Sequence, residues 1–239
     1  MRTIGTVSFL ASMGYVPTEF MESWYQMVQF NEQFMTSETG EIYYLRAKGS
    51  MHSTMRNWLA ENFMGDWLIQ VDADHVFEAD SAYRLIRHML EYDAPVISGL
   101  YFRKKYPFLP EAHILHKKTK MMAPCTAWDQ DVIRVDAVGA GFLAVRRDVF
   151  DQIKIDLGEQ PFSLKGNYSE DFSFGMRCRA LGIRTLLDTT VQVGHLMPQI
   201  IDADNFMETG IHPGRVDDIA DVNTYKQEED GNSDDSKAY

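Results

Sequence analysis

The apolar run Leu68-Ile69-Gln70-Val71 ends in two aspartates one residue apart, Asp72 and Asp74, and His75 follows directly. In an open α/β sheet, ligands gather outside the carboxyl ends of the strands. Two carboxylates leaving a strand there can converge on one ligand as the chain bends. Their hard oxygens suit Mg²⁺ or Mn²⁺, ions that bind through one or two carboxylates together with substrate phosphates. The chemistry implied is a divalent ion holding a diphosphate. A turn whose aspartates bond only to nearby backbone uses the same residues, so the surroundings must decide between the two.

Other groups along the chain could take part. Glu170 and Asp171 follow Ser169 at the expected start of a helix. Acids there interact favourably with the helix dipole, by only ~0.3–1 kcal/mol. A carboxylate in such a place can also accept the proton of an attacking hydroxyl. His195 stands after Gly194 beyond an apolar strand, where an imidazole is either a satisfied structural group or a ligand for Mn²⁺. Arg103-Lys104-Lys105 and Lys117-Lys118-Lys120 are solvated loops, or cations for a diphosphate or an anionic acceptor. Tyr101, Phe102, Tyr106 and Phe108 lie among them, suited either to stack on a sugar or base or to pack a joint.

The elements that must position these groups follow from hydrophobic period and punctuation. Buried strands are expected over Thr3–Leu10, Ile42–Arg46, Trp67–Val71 and Pro95–Leu100, the third apolar enough to be central. Between them lie helical patterns: one opened at Pro17-Thr18 with Thr18 as cap, then Ser53–Phe63 and Asp80–Tyr92. Strands alternating with helices predict an α/β domain with a mixed, mainly parallel central sheet. After residue 100 the pattern changes. Tyr101–Thr126 is basic and interrupted by prolines. Val132–Val138 and Phe142–Arg146 read as adjacent strands around Gly139-Ala140-Gly141, which suits a hairpin turn or a close approach of backbone to sugar. Arg147–Ile153 reads as a helix, Ser169 caps another over Glu170–Ala180, and strands at Arg184–Asp188 and Val191–Val193 close the pattern.

The 239 residues, 45% of them apolar, are enough for one sizeable core. No run is long enough for a membrane span. Cys125 and Cys178 lie far apart without CxxC spacing, which argues against a disulfide framework or zinc cluster and fits a reducing cytoplasm. Of the net charge of −12, the residues from Asp202 onward carry −8. The body is thus nearly balanced, which argues against a protein that grips nucleic acid through phosphates. The expected organisation is a catalytic domain over 1–205, with a nucleotide-sugar half to residue 100 and an acceptor half beyond it. An acidic tail over 206–239 is expected to be partly disordered.

The stretch MRNWLAENFMGDWLIQVDAD, residues 55–74, resembles the nucleotide-sugar half of GT-A fold glycosyltransferases. The likeness is particularly to their large inverting family, which contains many bacterial polysaccharide enzymes. Arg56-Asn57, Gly65-Asp66 and Asp72-Ala73-Asp74 match that pattern in order and spacing, whereas His75 stands where many members carry another aspartate. VGAGFLAVRRDVF (138–150), SEDFSFGMRCRALGI (169–183) and VGHL (193–196) resemble the glycine-rich strand, the acidic acceptor-side helix start and the late histidine. The resemblance implies that Asp74 ligates the metal directly, with Asp72 at the ribose or reaching the metal through water. It further implies that His195 completes the metal site, that Arg56 and Asn57 contact the nucleotide, and that Asp171, beside Glu170, is the general base.

The activity implied is metal-dependent transfer of a sugar from a nucleoside diphosphate sugar, a UDP-sugar, to an acceptor hydroxyl with inversion. The acceptor stays open between a glycan, a small metabolite, a protein and a modified nucleic acid base. A retaining enzyme of the same fold is an alternative. A sugar-nucleotide nucleotidyltransferase is disfavoured, because FLASMGYVPTEF (9–20) lacks a glycine-rich, basic loop after the first strand. A non-catalytic nucleotide-sugar-binding module is disfavoured by the intact acids and His195. Because residues after Glu208 carry few apolar anchors, truncation there is expected to leave turnover within a few-fold. A large loss in a steady-state assay would show instead that the segment around His212 closes over the donor.

Overall fold

The computed structural model describes residues 4–12, 15–36, 40–116, 118–119 and 121–197. The expected boundary at 205 and the acidic tail lie outside these residues, as do Lys117 and Lys120. A seven-stranded sheet forms the centre. Its strands are β1 (Gly5–Ala11), β2 (Ile42–Lys48), β3 (Trp67–Asp72), β5 (Val96–Leu100), β8 (Val132–Val135), β10 (Phe142–Arg146) and β11 (Thr185–Gln192). They lie in the order β2-β1-β3-β10-β5-β11-β8. β10 runs antiparallel to both its neighbours and β8 antiparallel to β11, while the other pairings are parallel. The sheet is therefore mixed, with β8 and β10 running against the other five strands.

Both faces are covered, which is why the central strands read as nearly continuous apolar runs. On one face Phe20, Trp24 and Met27 of α1 (Thr18–Phe30) and Leu85, Ile86 and Met89 of α3 (Ser81–Glu91) pack on Val7, Ile69 and Phe142. On the other, Met55 and Leu59 of α2 (His52–Asn62), Val149, Phe150 and Ile153 of α4 (Arg147–Leu157), and Phe174 and Cys178 of α5 (Glu170–Ala180) pack on Leu68, Leu143 and Val145.

Several expectations are corrected. Thr18 is the first helical residue and Pro17, extended at φ −58° and ψ 145°, holds the cap position. Ser169 does occupy the cap of α5, but its hydroxyl bonds to the Asp171 carboxylate rather than to the helix backbone. The strands around Gly139-Ala140-Gly141 form no hairpin. Residues 132–138 divide into β8 at the sheet edge and β9 (Ala137–Val138), while β10 inserts between β3 and β5. The basic stretch after residue 100 contains a hairpin, β6 (Ala112–Leu115) and β7 (Met122–Pro124), which joins β9 in a small sheet. Hairpin and bridge pairs this short leave no periodic trace.

β11 is one strand with a bulge, where two strands are expected. Its register on β5 shifts between Asp188 and Gln192. The fully buried Asp188 carboxylate holds that bulge, accepting from Thr190 N–H at 3.0 Å, Thr190 Oγ1 at 2.7 Å and Val191 N–H at 3.3 Å. His88 Nδ1 on α3 meets its other oxygen at 2.5 Å. The bulge sets the path to β12 (Gly194–His195), which pairs with β4 (His75–Val76) and puts His195 directly opposite His75. His88→Ala removes one donor from a buried carboxylate and is expected to lower unfolding stability by about 1–3 kcal/mol, measured by denaturant titration.

Candidate active site

Asp74, His75 and His195 converge at the carboxyl end of β3, with one ligand atom from each lying within 4.8 Å of the others. His195 Nε2 is 3.5 Å from Asp74 Oδ2, and His75 Nδ1 is 3.1 Å from Asp74 Oδ1. The two imidazoles stack, centroids 4.4 Å apart, and the Tyr101 ring meets His75 edge-on at 4.8 Å. His195 Nδ1 lies 2.9 Å from the Phe102 carbonyl oxygen. A carbonyl only accepts, so in the neutral ring Nδ1 carries the proton and Nε2 presents its lone pair to Asp74. A backbone carbonyl orienting a histidine in this way is the usual arrangement behind a metal ligand.

The residues fit a divalent ion. Asp74 Oδ1 and both His75 ring nitrogens are buried, and among the described residues they have no hydrogen bond beyond the 3.1 Å approach of His75 Nδ1 to Asp74 Oδ1. Such orphaned groups are costly unless something binds them. One carboxylate and two imidazoles favour Mn²⁺ over Mg²⁺, which prefers oxygen. Burial pushes the Asp74 carboxyl up, but the neighbouring His195, His75 and Lys104 outweigh it and hold the group far below the usual carboxylate range.

Asp72 is directed elsewhere. Its two oxygens accept from Arg56 Nη2 at 2.8 and 3.0 Å, and it is not part of the Asp74 cluster. Arg56 is buried. Its Nη1 donates to the Ala140 carbonyl at 2.9 Å and to Gln70 Oε1 at 3.2 Å, and its Nε to Glu170 Oε1 at 3.3 Å. Burial works against its charge, and the carboxylates of Asp72, Glu170 and Asp171 more than offset that. One guanidinium thus joins the end of β3, the glycine-rich loop and the start of α5. Asn57 serves the scaffold, its Oδ1 accepting from Phe162 N–H at 2.8 Å.

Asp171 Oδ1 is held by the Ser169 hydroxyl and by the Phe172 N–H. Beside it opens a 690 Å³ cleft whose lining includes His113, Met122, Tyr168, Phe172 and Arg103. Tyr168 and Phe172 stack with their planes 14° apart. Burial raises the Glu111 carboxyl, and the nearby Asp171 charge raises it further. Gly139 and Gly141 are required by protein rather than sugar. A Cβ on Gly139 would lie 2.0 Å from Tyr101 Oη, and one on Gly141 would lie 2.6 Å from His75 Cε1. His75, Tyr101 and Lys104 were not singled out as site residues by the sequence. The signals that pointed to them were the histidine directly after the aspartates and the basic, aromatic run that follows β5.

This mixed sheet, with its acids at the carboxyl end of a central strand, is the GT-A glycosyltransferase fold. Residues 25–154, more than half of the chain, match the model of glycosyl transferase family 2, and the chain belongs to that family. Among solved structures it is similar to A197 from STIV, with a TM-score of 0.53 and 19% identity over 83% of this chain and 87% of that one. It is also similar to GalNAc-T7 with UDP, GalNAc and Mn²⁺, with a TM-score of 0.56 and 13% identity over 83% of this chain. The chain spans 44% of the length of that protein. No curated protein matches. Among the described residues, no helix is long and apolar enough to cross a membrane.

Removing Arg56 strands two partly buried carboxylates. Arg56→Met is expected to lower unfolding stability by about 3–5 kcal/mol. Arg56→Lys should recover only part of that, because a point-like ammonium cannot reach three segments at once. Thermal and chemical unfolding of the two variants measures both effects.

Proposed function

We propose that the chain moves a sugar from a nucleoside diphosphate sugar, a UDP-sugar, to an acceptor hydroxyl with inversion, using Mn²⁺ or Mg²⁺. The observation that carries this reading is the placing of two separate acid sites at one end of the sheet. Asp74 with two histidines suits an ion, and Asp171 stands between Ser169 and Phe172, two residues that line an open cleft. The similarly folded GalNAc-T7 was solved with UDP, GalNAc and Mn²⁺, which supports the same donor class here.

Asp74 and His195 would hold the ion, with His75 beside them. When bound, the ion supplies Lewis-acid charge to the departing diphosphate. Asp72, fixed by Arg56, would face the nucleotide and reach the ion only through water. Strand register puts Leu10 between Ala47 and Asp72. A 440 Å³ cleft lined by Ala47, Lys48, Met51 and Trp58 therefore lies about 10 Å, two strand spacings, from Asp72. A nucleoside set in that cleft would direct its diphosphate toward Asp74. This assigns the nucleoside to residues up to about 100 and the acceptor to those beyond, with the Tyr168–Phe172 shelf as the acceptor's floor and His195 reaching back to the diphosphate. The buried, unbridged Cys125 and Cys178 support a cytoplasmic setting.

Asp171 is the base in this reading. Ser169 and the Phe172 N–H fix one of its oxygens and leave the other to take the acceptor proton as the hydroxyl attacks the anomeric carbon. Glu170 is not placed for that step, since Arg56 engages it. Asp171→Asn is expected to lose about 10²–10⁴-fold in transfer with donor affinity unchanged, and Glu170→Gln should lose less. NMR of the product should show an inverted anomeric centre. Wild-type transfer by Asp171→Asn, or a retained anomer, would overturn the assignment of Asp171 as base. Full activity in EDTA would overturn the metal dependence.

A further inference from the structure

The Lys104 ammonium lies 2.6 Å from Asp74 Oδ2, the same oxygen that faces His195 Nε2. An ion held between Asp74 and His195 would compete for that oxygen, and a divalent cation and an ammonium repel each other at such range. We propose that Lys104 is an exchangeable counter-ion. Its ammonium neutralises Asp74 while the ion is absent; once the ion takes Oδ2, it turns to the diphosphate oxygens of the donor. This inference rests on the donor reading above.

Three observations carry it. Lys104 has the freedom to move, because its side chain is 32% exposed and follows β5 on a flexible four-carbon stem. A place to move to adjoins it, a 270 Å³ cavity lined by Phe102, Arg103, Lys104, Phe108, Gly194 and His195 among others. The charged residues of that lining are cations and no acid is among them, so the cavity favours an anion. Finally, the two histidines stay behind when Lys104 leaves. His195 is tied to the Phe102 carbonyl, and His75 is enclosed beneath Tyr101 and Gly141.

The exchange couples metal to diphosphate. In the free enzyme Lys104 competes with the ion; in the complex it adds to the grip on the donor. The test compares wild type, Lys104→Met and the charge-retaining Lys104→Arg. Mn²⁺ binding without nucleotide is read by electron paramagnetic resonance, and UDP binding at saturating Mn²⁺ by calorimetry. Lys104→Met is expected to bind Mn²⁺ alone more tightly and UDP more weakly, each by at least about fivefold, the lower end of ordinary coupling between two ligands. Lys104→Arg should stay near wild type in both. If Lys104→Met binds Mn²⁺ no better than wild type does, the exchange is overturned and the metal site stands. If no variant binds Mn²⁺, the metal site falls and the exchange falls with it.

Discussion

The site depends on one buried cation. The Arg56 guanidinium uses all three of its nitrogens, on Asp72, on Gln70 and the Ala140 carbonyl, and on Glu170. These partners come from a strand end, a loop and a helix start that are far apart in sequence. A buried charge is tolerated only where it is paired and hydrogen-bonded. The requirement runs both ways: Arg56 needs the acids, and the acids are held where Arg56 can reach them. The carboxyl end of β3 and the start of α5, where Asp74 and Asp171 lie, are thereby joined through one buried group.

The histidine pair shows a second constraint, that of close packing. His75 stands opposite His195 because two-residue strands bridge there, and it is sealed by Tyr101 and by the bare backbone of Gly141. Tyr101 Oη in turn accepts from Gly141 N–H at 3.0 Å. Glycine at 139 and 141 lets an aromatic ring lie against the loop, and the ring packs edge-on against His75. The bulge at Asp188, pinned by His88, precedes β12, which sets His195 opposite His75. Scaffold residues distant from any substrate therefore decide whether Asp74 has company.

Much of the fold was legible in the sequence. Alternating apolar strands and amphipathic helices over the first hundred residues led to the mixed, mainly parallel sheet, and the family resemblance singled out Asp72, Asp74, Glu170, Asp171 and His195. What escaped depends on contacts between distant segments. The resemblance already separated Asp74 from Asp72, but spacing alone does not, and the contact that divides them, Arg56 on Asp72, appears only in the fold. That the Asn57 Oδ1 accepts from the Phe162 N–H is likewise invisible in the sequence. The placing of β10 between β3 and β5, in place of a hairpin, has no local signature. The role of Lys104 was undecided within a basic run, because only the folded chain shows which lysine faces an acid.

The central claim is that Asp74 and the two histidines, rather than the pair of aspartates, bind the ion. Anomalous diffraction from crystals soaked with Mn²⁺ and UDP tests it most directly. A peak about 2.0–2.6 Å from an Asp74 oxygen and from a nitrogen of His195, with Asp72 still on Arg56, is the expected result. A peak coordinated by Asp72 with His195 turned away, or no peak at the end of β3, would contradict the account.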